Sequence, residues 1–281
     1  MFDIGLDWIT VTFIVFREAL EAGLVSLIML AYLIRLNRRD LIKYVYIGVG
    51  SAVVLSLILG VSILLIYSEL SDIGADFFEI VAGFIAVPIL TFMIMWMARA
   101  SKRIRGELEE RIQFFIDRNY LIGIVIVSLT TVAREGLETV LFLMAFIVSA
   151  PLSTIIGSII GIIITLGLLW TINKGFMKIK LQSIFKYTSL IIIILAAGIL
   201  FKTTNKMVNF LADIGISLGV WGHPAYYMNI PDNSLFSDEG LIGGIISAFT
   251  GYMPQATWLA VITYILYWSI AGFFFYKTYA D

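Results

Sequence analysis

Seven apolar stretches, at roughly 8–34, 44–67, 77–98, 120–149, 151–173, 185–203 and 255–276, divide this chain of 281 residues. Each is close to or longer than the ~20 mostly apolar residues that carry a helix across a bilayer. Composition agrees: 60% of residues are hydrophobic and 14% are charged, whereas soluble domains run about half apolar and a quarter charged. The expected fold class is therefore an all-α integral membrane protein with seven transmembrane helices. It is expected to form a single transmembrane domain over 1–281, multi-pass in the cell membrane, with the lipid bilayer as its surroundings. A net charge of -1 gives no reason to expect a nucleic-acid partner. Without cysteines there is no disulfide framework, thiolate metal site or iron–sulfur cluster. The opening "MFDIGLDW" lacks the basic segment of a cleaved signal peptide, so the first helix is expected to be retained.

Charge between the stretches sets an expected orientation. Arg35, Arg38, Arg39 and Lys43 follow the first stretch; Arg99, Lys102, Arg103, Arg105, Arg111 and Arg118 follow the third. Lys174, Lys178 and Lys180 follow the fifth, and Lys277 the seventh. The alternate connections contain only Lys202 and Lys206 as cations and carry acids such as Asp3, Asp7, Asp76, Asp232, Asp238 and Glu239. Basic loops stay inside, so the N-terminus is expected outside and the C-terminus inside.

Two of the stretches contain what hydrocarbon penalises. "VFREALEAGL" carries Arg17, Glu18 and Glu21; "VAREGLETVL" carries Arg134, Glu135 and Glu138. At ~100° per residue each trio lies on one helix face. One ionised group at the bilayer centre costs about 2.5–3.5 kcal/mol, so six of them must face one another or a polar cavity. The copies sit in the first and fourth stretches, and the odd number of spans between them predicts a 3+3 inverted-topology repeat plus one C-terminal helix. Repeat one covers about 8–98 and repeat two about 120–203. The outer segment 204–254 and a seventh helix at about 255–276 complete the chain. Such repeats are a common plan of secondary transporters, with the site near the membrane midplane. If each arginine offsets one glutamate, two carboxylates are left over, a donor set suited to a hard multivalent cation. An Arg–Glu clasp that only ties helices together is the competing account.

These residues resemble the Arg-Glu-x-x-Glu motifs of the oxidase-dependent iron permease family, which includes fungal high-affinity iron permeases and bacterial iron-uptake permeases. The similarity extends to a glutamate at the head of the third stretch, Glu79, and to "TGYMP" at Thr250–Pro254 before the last. It implies an iron permease, not an enzyme, importing iron ions as substrate with no permanent cofactor. It also implies that Glu18, Glu21, Glu135 and Glu138 are metal ligands, with Glu79 a further candidate and Arg17 and Arg134 balancing charge. No fused oxidase domain is legible, so an oxidase or extracytoplasmic iron-delivery protein is expected as a separate partner.

Alternatives are a carrier for another cation, manganese or lead, or a membrane carboxylate metalloenzyme. The last usually requires Glu-x-x-His pairs, which the motifs lack. His223 is the one histidine; it reads as an ordinary outer-segment residue, with metal capture the lesser alternative. Met93, Met95 and Met97 read as helix packing. "GSIIG" at Gly157–Gly161 predicts a close helix approach, Pro88 a kink in the third span, and 99–119 an inner surface helix. Within the outer segment, "NFLADIGISLGVW" and "LIGGIISAFTGY" are too short to span and predict interfacial or re-entrant pieces.

Overall fold

The computed structural model describes residues 7–100, 103–174, 181–231, 234–237 and 240–279. The expectations at Asp3, Lys102, Lys178, Lys180, Asp232, Asp238 and Glu239 lie outside the described residues. Nine α-helices occupy the rest: α1 Asp7–Arg35, α2 Ile42–Ser68, α3 Asp72–Ala100, α4 Ile104–Asp117, α5 Leu121–Ser149, α6 Pro151–Asn173, α7 Leu181–Asp213, α8 Leu241–Thr250 and α9 Trp258–Tyr279. Five of them, α2, α3, α6, α7 and α9, contain segments long and apolar enough to cross a membrane. The other two long helices, α1 and α5, carry the motif charges. The protein is an all-α membrane protein.

Local signals explain the helix ends. Asn37 and Asn119 adopt left-handed φ of 58° and 53°. There Arg38 N–H reaches back to Leu33 O and Tyr120 N–H to Phe115 O, closing α1 and α4 with the 6→1 bond of a Schellman cap. Only Ala150 separates α5 from α6, because Pro151 begins α6 at a position where a missing N–H costs nothing. Pro88 lies inside α3, which continues through it to Ala100.

Packing is reciprocal between the halves. α1 lies along α6, α2 along α5 and α3 along α7, while α1 crosses α5. The α1–α6 approach is close because Gly157 and Gly161 have no side chains. A Cβ at Gly157 would stand 2.5 Å from Trp8 O, and one at Gly161 2.8 Å from Thr12 O. Thr12 and Thr165 hydroxyls reinforce the seam by donating to Gly157 O and Phe16 O, each at 3.1 Å. Gly48 does the same for α2 against the α5 backbone at Val125 O.

The pairings also give direction. α6 runs parallel to α1, since Trp8 meets Gly157 and Thr12 meets Gly161. α5 runs opposite to α1, since Met29 meets Ser128 while Glu18 meets Glu135. α7 runs opposite to α3: Phe77 meets Phe210, Glu79 meets Lys206 and Gly83 meets Thr203. α1 and α5 hold the centre, and the outer faces of α2 and α6 are exposed apolar surface.

Three features differ from the sequence expectation. α7 continues ten residues beyond 203, into what reads as loop. Lys202 and Lys206, which end the apolar stretch, are paired there with Asp7 (3.6 Å) and with Asp76 (2.9 Å) and Glu79 (2.5 Å). "NFLADIGISLGVW" is thus the end of α7 plus a short 3-10 turn at Gly219–Gly222, whereas "LIGGIISAFT" is the separate helix α8. Two short antiparallel strands, β1 Pro224–Tyr227 and β2 Gln255–Thr257, tie the outer segment to the head of α9. At the opposite end α4, a helix where the mixed-charge stretch 99–119 predicts one, buries Leu108 and Ile112 against α1 and α5. It is held there by Arg35–Glu109 at 2.8 Å and Tyr32–Gln113 at 2.8 Å.

Candidate functional site

Helical spacing sets up each half of the site. On α1, Arg17 Nη1 donates to Glu18 Oε1, and Nη2 stands 2.6 Å from Glu21 Oε1, one turn further on. On α5, Arg134 Nε and Nη2 both donate to Glu135 Oε1, at 3.2 and 2.6 Å, while Nε lies 3.7 Å from Glu138 Oε1. Each arginine therefore leans on both glutamates of its own motif.

The α1–α5 crossing then brings the two halves together. Glu18, Glu21 and Glu135 each offer a carboxylate oxygen within 4.8 Å of the others, and all three are buried. Glu138 sits beside them, 18% exposed. Hard divalent ions hold oxygens at about 2.0–2.6 Å, so ligands on opposite sides of one ion stand ~4–5 Å apart. The separation seen here suits such an ion with little movement.

Hydrogen bonding singles out the same place. Seven buried side-chain polar atoms lack a partner among the described residues, and six belong to this cluster: Arg17 Nε, Glu18 Oε2, both oxygens of Glu21, Glu135 Oε2 and Glu138 Oε2. Glu21 Oε1 is near Arg17 but out of line for a hydrogen bond. Every motif glutamate thus keeps at least one free oxygen in a region where an unsatisfied polar atom costs about 1–3 kcal/mol. Four carboxylates against two guanidiniums leave the cluster short of positive charge when all are ionised. A cation held here would supply both the missing positive charge and partners for the free carboxylate oxygens.

The two halves are not equally enclosed. Arg17 is 2% exposed and Arg134 40%. α3 contacts both: Met93 Sδ accepts from Arg17 Nη1 at 3.3 Å, and the Trp96 ring lies under Arg134, 4.6 Å from Cζ to centroid. On another side a cavity of about 540 Å³ between α1, α2, α5 and α6 reaches Glu18 and Glu135, the only ionisable residues in an otherwise apolar and hydroxyl wall.

Glu79 is not part of the cluster. It bonds Lys206 at 2.5 Å in a separate cavity of about 330 Å³ that Asp7, Lys202 and Asn209 also line. His223 stands exposed before β1, its carbonyl accepting from Trp258 N–H. Met93 reads from the sequence as helix packing and Trp96 gives no signal at all: apolar residues in an apolar helix are not marked until the fold puts an arginine beside them.

The Iron permease FTR1 family matches residues 9–274 of the chain. A protein of Archaeoglobus fulgidus described only as uncharacterized is 31% identical over 258 residues, covering 90% of this chain and 89% of its own. The ferrous iron permease EfeU of Yersinia pestis is 31% identical over 263 residues, 90% of this chain and 88% of its own. EfeU of Escherichia coli O6:H1 is 29% identical over 261 residues, 90% of each chain. No solved structure matches the chain.

Proposed function

Because this chain belongs to the Iron permease FTR1 family, we propose that it imports ferrous iron across the cell membrane through the Arg-Glu-x-x-Glu cluster. The observation that carries the reading is the free oxygen on each of the four motif glutamates, buried at one crossing of α1 and α5. Similar proteins bearing the name ferrous iron permease support the choice of ion. The all-oxygen donor set accepts such a hard or borderline divalent cation.

In this reading Glu18, Glu21, Glu135 and Glu138 are the ligands, and Arg17 and Arg134 offset part of their charge and orient them. The ion arrives, still ferrous, at the end of the bundle where Asp7, Asp76 and Glu79 gather, delivered by a separate extracytoplasmic protein; an oxidase, which would make it ferric, is not the immediate donor in this reading. Seven long helices cross the membrane, with the N-terminus outside. The opposed directions of α1–α3 and α5–α7 support an inverted repeat with its site at the midplane. Access alternates by sliding of the pair α1/α6 against α2/α5, because the tightest seams join helices of different repeats.

The test is uptake of ferrous iron into proteoliposomes holding purified protein, with manganese as competitor. Glu18→Ala and Glu138→Ala are expected to abolish uptake while the proteins still insert and melt as discrete species. Iron uptake at the parental rate by those variants removes their roles; a parent protein that carries manganese but not iron removes the substrate.

A further inference from the structure

α3 touches both arginines of the cluster with groups that bear no charge. Met93 and Trp96, three residues apart and so on one face of the helix, meet Arg17 and Arg134 respectively. A guanidinium carries five N–H donors and no acceptor. When it is withdrawn from water, whatever faces it decides where it rests. A carboxylate on α3 would hold it more strongly and would add a competing negative charge. A thioether sulfur and an indole face do neither: both are electron-rich and neutral.

The geometry points to Met93 and Trp96 as positioning residues that seat the two arginines, an assignment resting on the carboxylate reading above. Arg134 depends most on this seat. Its guanidinium spends two donors on Glu135 Oε1, and its Nε lies 3.7 Å from Glu138 Oε1, beyond hydrogen-bond reach. The Trp96 ring holds the guanidinium plane at that distance. Glu138 therefore keeps one oxygen loosely paired and the other without a partner. With the indole gone, the half-exposed arginine is free to close on Glu138 and occupy the oxygens an incoming cation needs. Trp96 in this way sets the affinity of the site without touching the ion. Met93 restrains Arg17, which is already enclosed by Glu18 and Glu21, so its share is the smaller one.

The seat is contributed by repeat one to the arginine of repeat two. Movement of α3 relative to α5 would therefore change the hold on Arg134, and with it the affinity of Glu138. That links ion release to a helix shift through a single aromatic contact.

The experiment compares Trp96→Leu, which keeps apolar bulk but has no π face, with Trp96→Phe, which keeps the face. Ferrous iron uptake is measured in proteoliposomes across ion concentration, with the thermal melt of each purified variant alongside. Trp96→Leu is expected to raise the half-saturating concentration about tenfold, the worth of one partly desolvated cation–π contact. Its maximal rate should stay close to the parent's. Trp96→Phe should recover most of the affinity, and Met93→Leu should shift it by less than Trp96→Leu. Unchanged half-saturation in Trp96→Leu overturns the assignment. So does a loss confined to maximal rate, or a Trp96→Phe variant as impaired as the leucine one. Those results leave the glutamate cluster standing, whereas a parent protein that takes up no iron takes both down together.

Discussion

Glu21 and Glu135 stand on helices that run in opposite directions, yet each offers a carboxylate oxygen within 4.8 Å of the other and of Glu18. Like charges this close and this buried repel strongly unless protons, arginines or a metal intervene. Arg17 and Arg134 supply only part of the compensation. The cluster is thus stable in proportion to what joins it.

Arg17→Ala strands Glu18 and Glu21 in a buried site without their counter-ion. Breaking a buried pair from one side costs about 3–5 kcal/mol, whereas removing both partners is far milder. The single variant is expected to melt well below the parent in detergent, and Arg17→Met combined with Glu18→Gln to recover part of the loss, Glu21 staying without its counter-ion. Equal melting of the single and double variants would show that the ion pairs contribute little to holding α1 in place.

Gly161→Leu drives a side chain into the α6–α1 seam, where even a Cβ would stand 2.8 Å from Thr12 O. Overpacking of this kind costs about 1–3 kcal/mol. Gly167 on the same helix faces open space, with nothing near a built Cβ, so Gly167→Leu serves as the control. Thermal melts of the two should separate clearly, and coincident melts would argue that the seam yields easily.

Lys206→Met uncovers Asp76 and Glu79, both paired with Lys206 beside the cavity that Glu79 lines. If iron enters at that end, two newly free carboxylates raise the local cation concentration and lower the half-saturating concentration, by roughly 2–5-fold at low salt. The gain should fade as ionic strength rises and the Debye length shrinks to about 10 Å at 0.1 M. Unaltered kinetics at every salt concentration would assign Lys206 to holding α7 against α3 and nothing more.

Acid should loosen α4. The Arg105 guanidinium, bonded to Glu109, and Arg35 beside it hold that carboxyl below its ordinary value of 4.5. The folded state thus favours the ionised form, so this contribution is complete above the ordinary value and is lost as pH falls through the lowered one. The pairs are exposed and worth at most ~1 kcal/mol. Hydrogen-exchange protection across 104–117, the rate taken relative to an unstructured chain at the same pH, should fall below about pH 4 and be constant above 5. A Glu109→Gln variant should exchange faster at neutral pH and lack the acid step.

What the sequence made legible follows from how local each signal is. Two charged trios at helical spacing sufficed to group Arg17, Glu18 and Glu21, and again Arg134, Glu135 and Glu138, because a helix face is set by positions a few residues apart. Glycine spacing at Gly157 and Gly161 announced a close seam for the same reason, though not that its partner is α1. The length of α7 was out of reach: a hydropathy reading stops at Lys202 and Lys206 because it cannot see Asp7, Asp76 and Glu79 on other helices. The pairing of β1 with β2 joins residues far apart in the chain through backbone atoms, which leave no mark on side-chain pattern. Trp96 and Met93 were invisible as arginine partners, since only the fold tells a packing residue from one that meets a guanidinium.

The reciprocal lacing of α1 to α6 and of α5 to α2 has a consequence for how the protein is made. When the ribosome has produced α1, nothing that buries Arg17, Glu18 and Glu21 yet exists. At 5–20 residues per second, on the order of ten seconds pass before α5 and α6 follow. For that interval the charged face of α1 has none of the neighbours that later cover it, and its burial is complete only once the second half of the chain arrives.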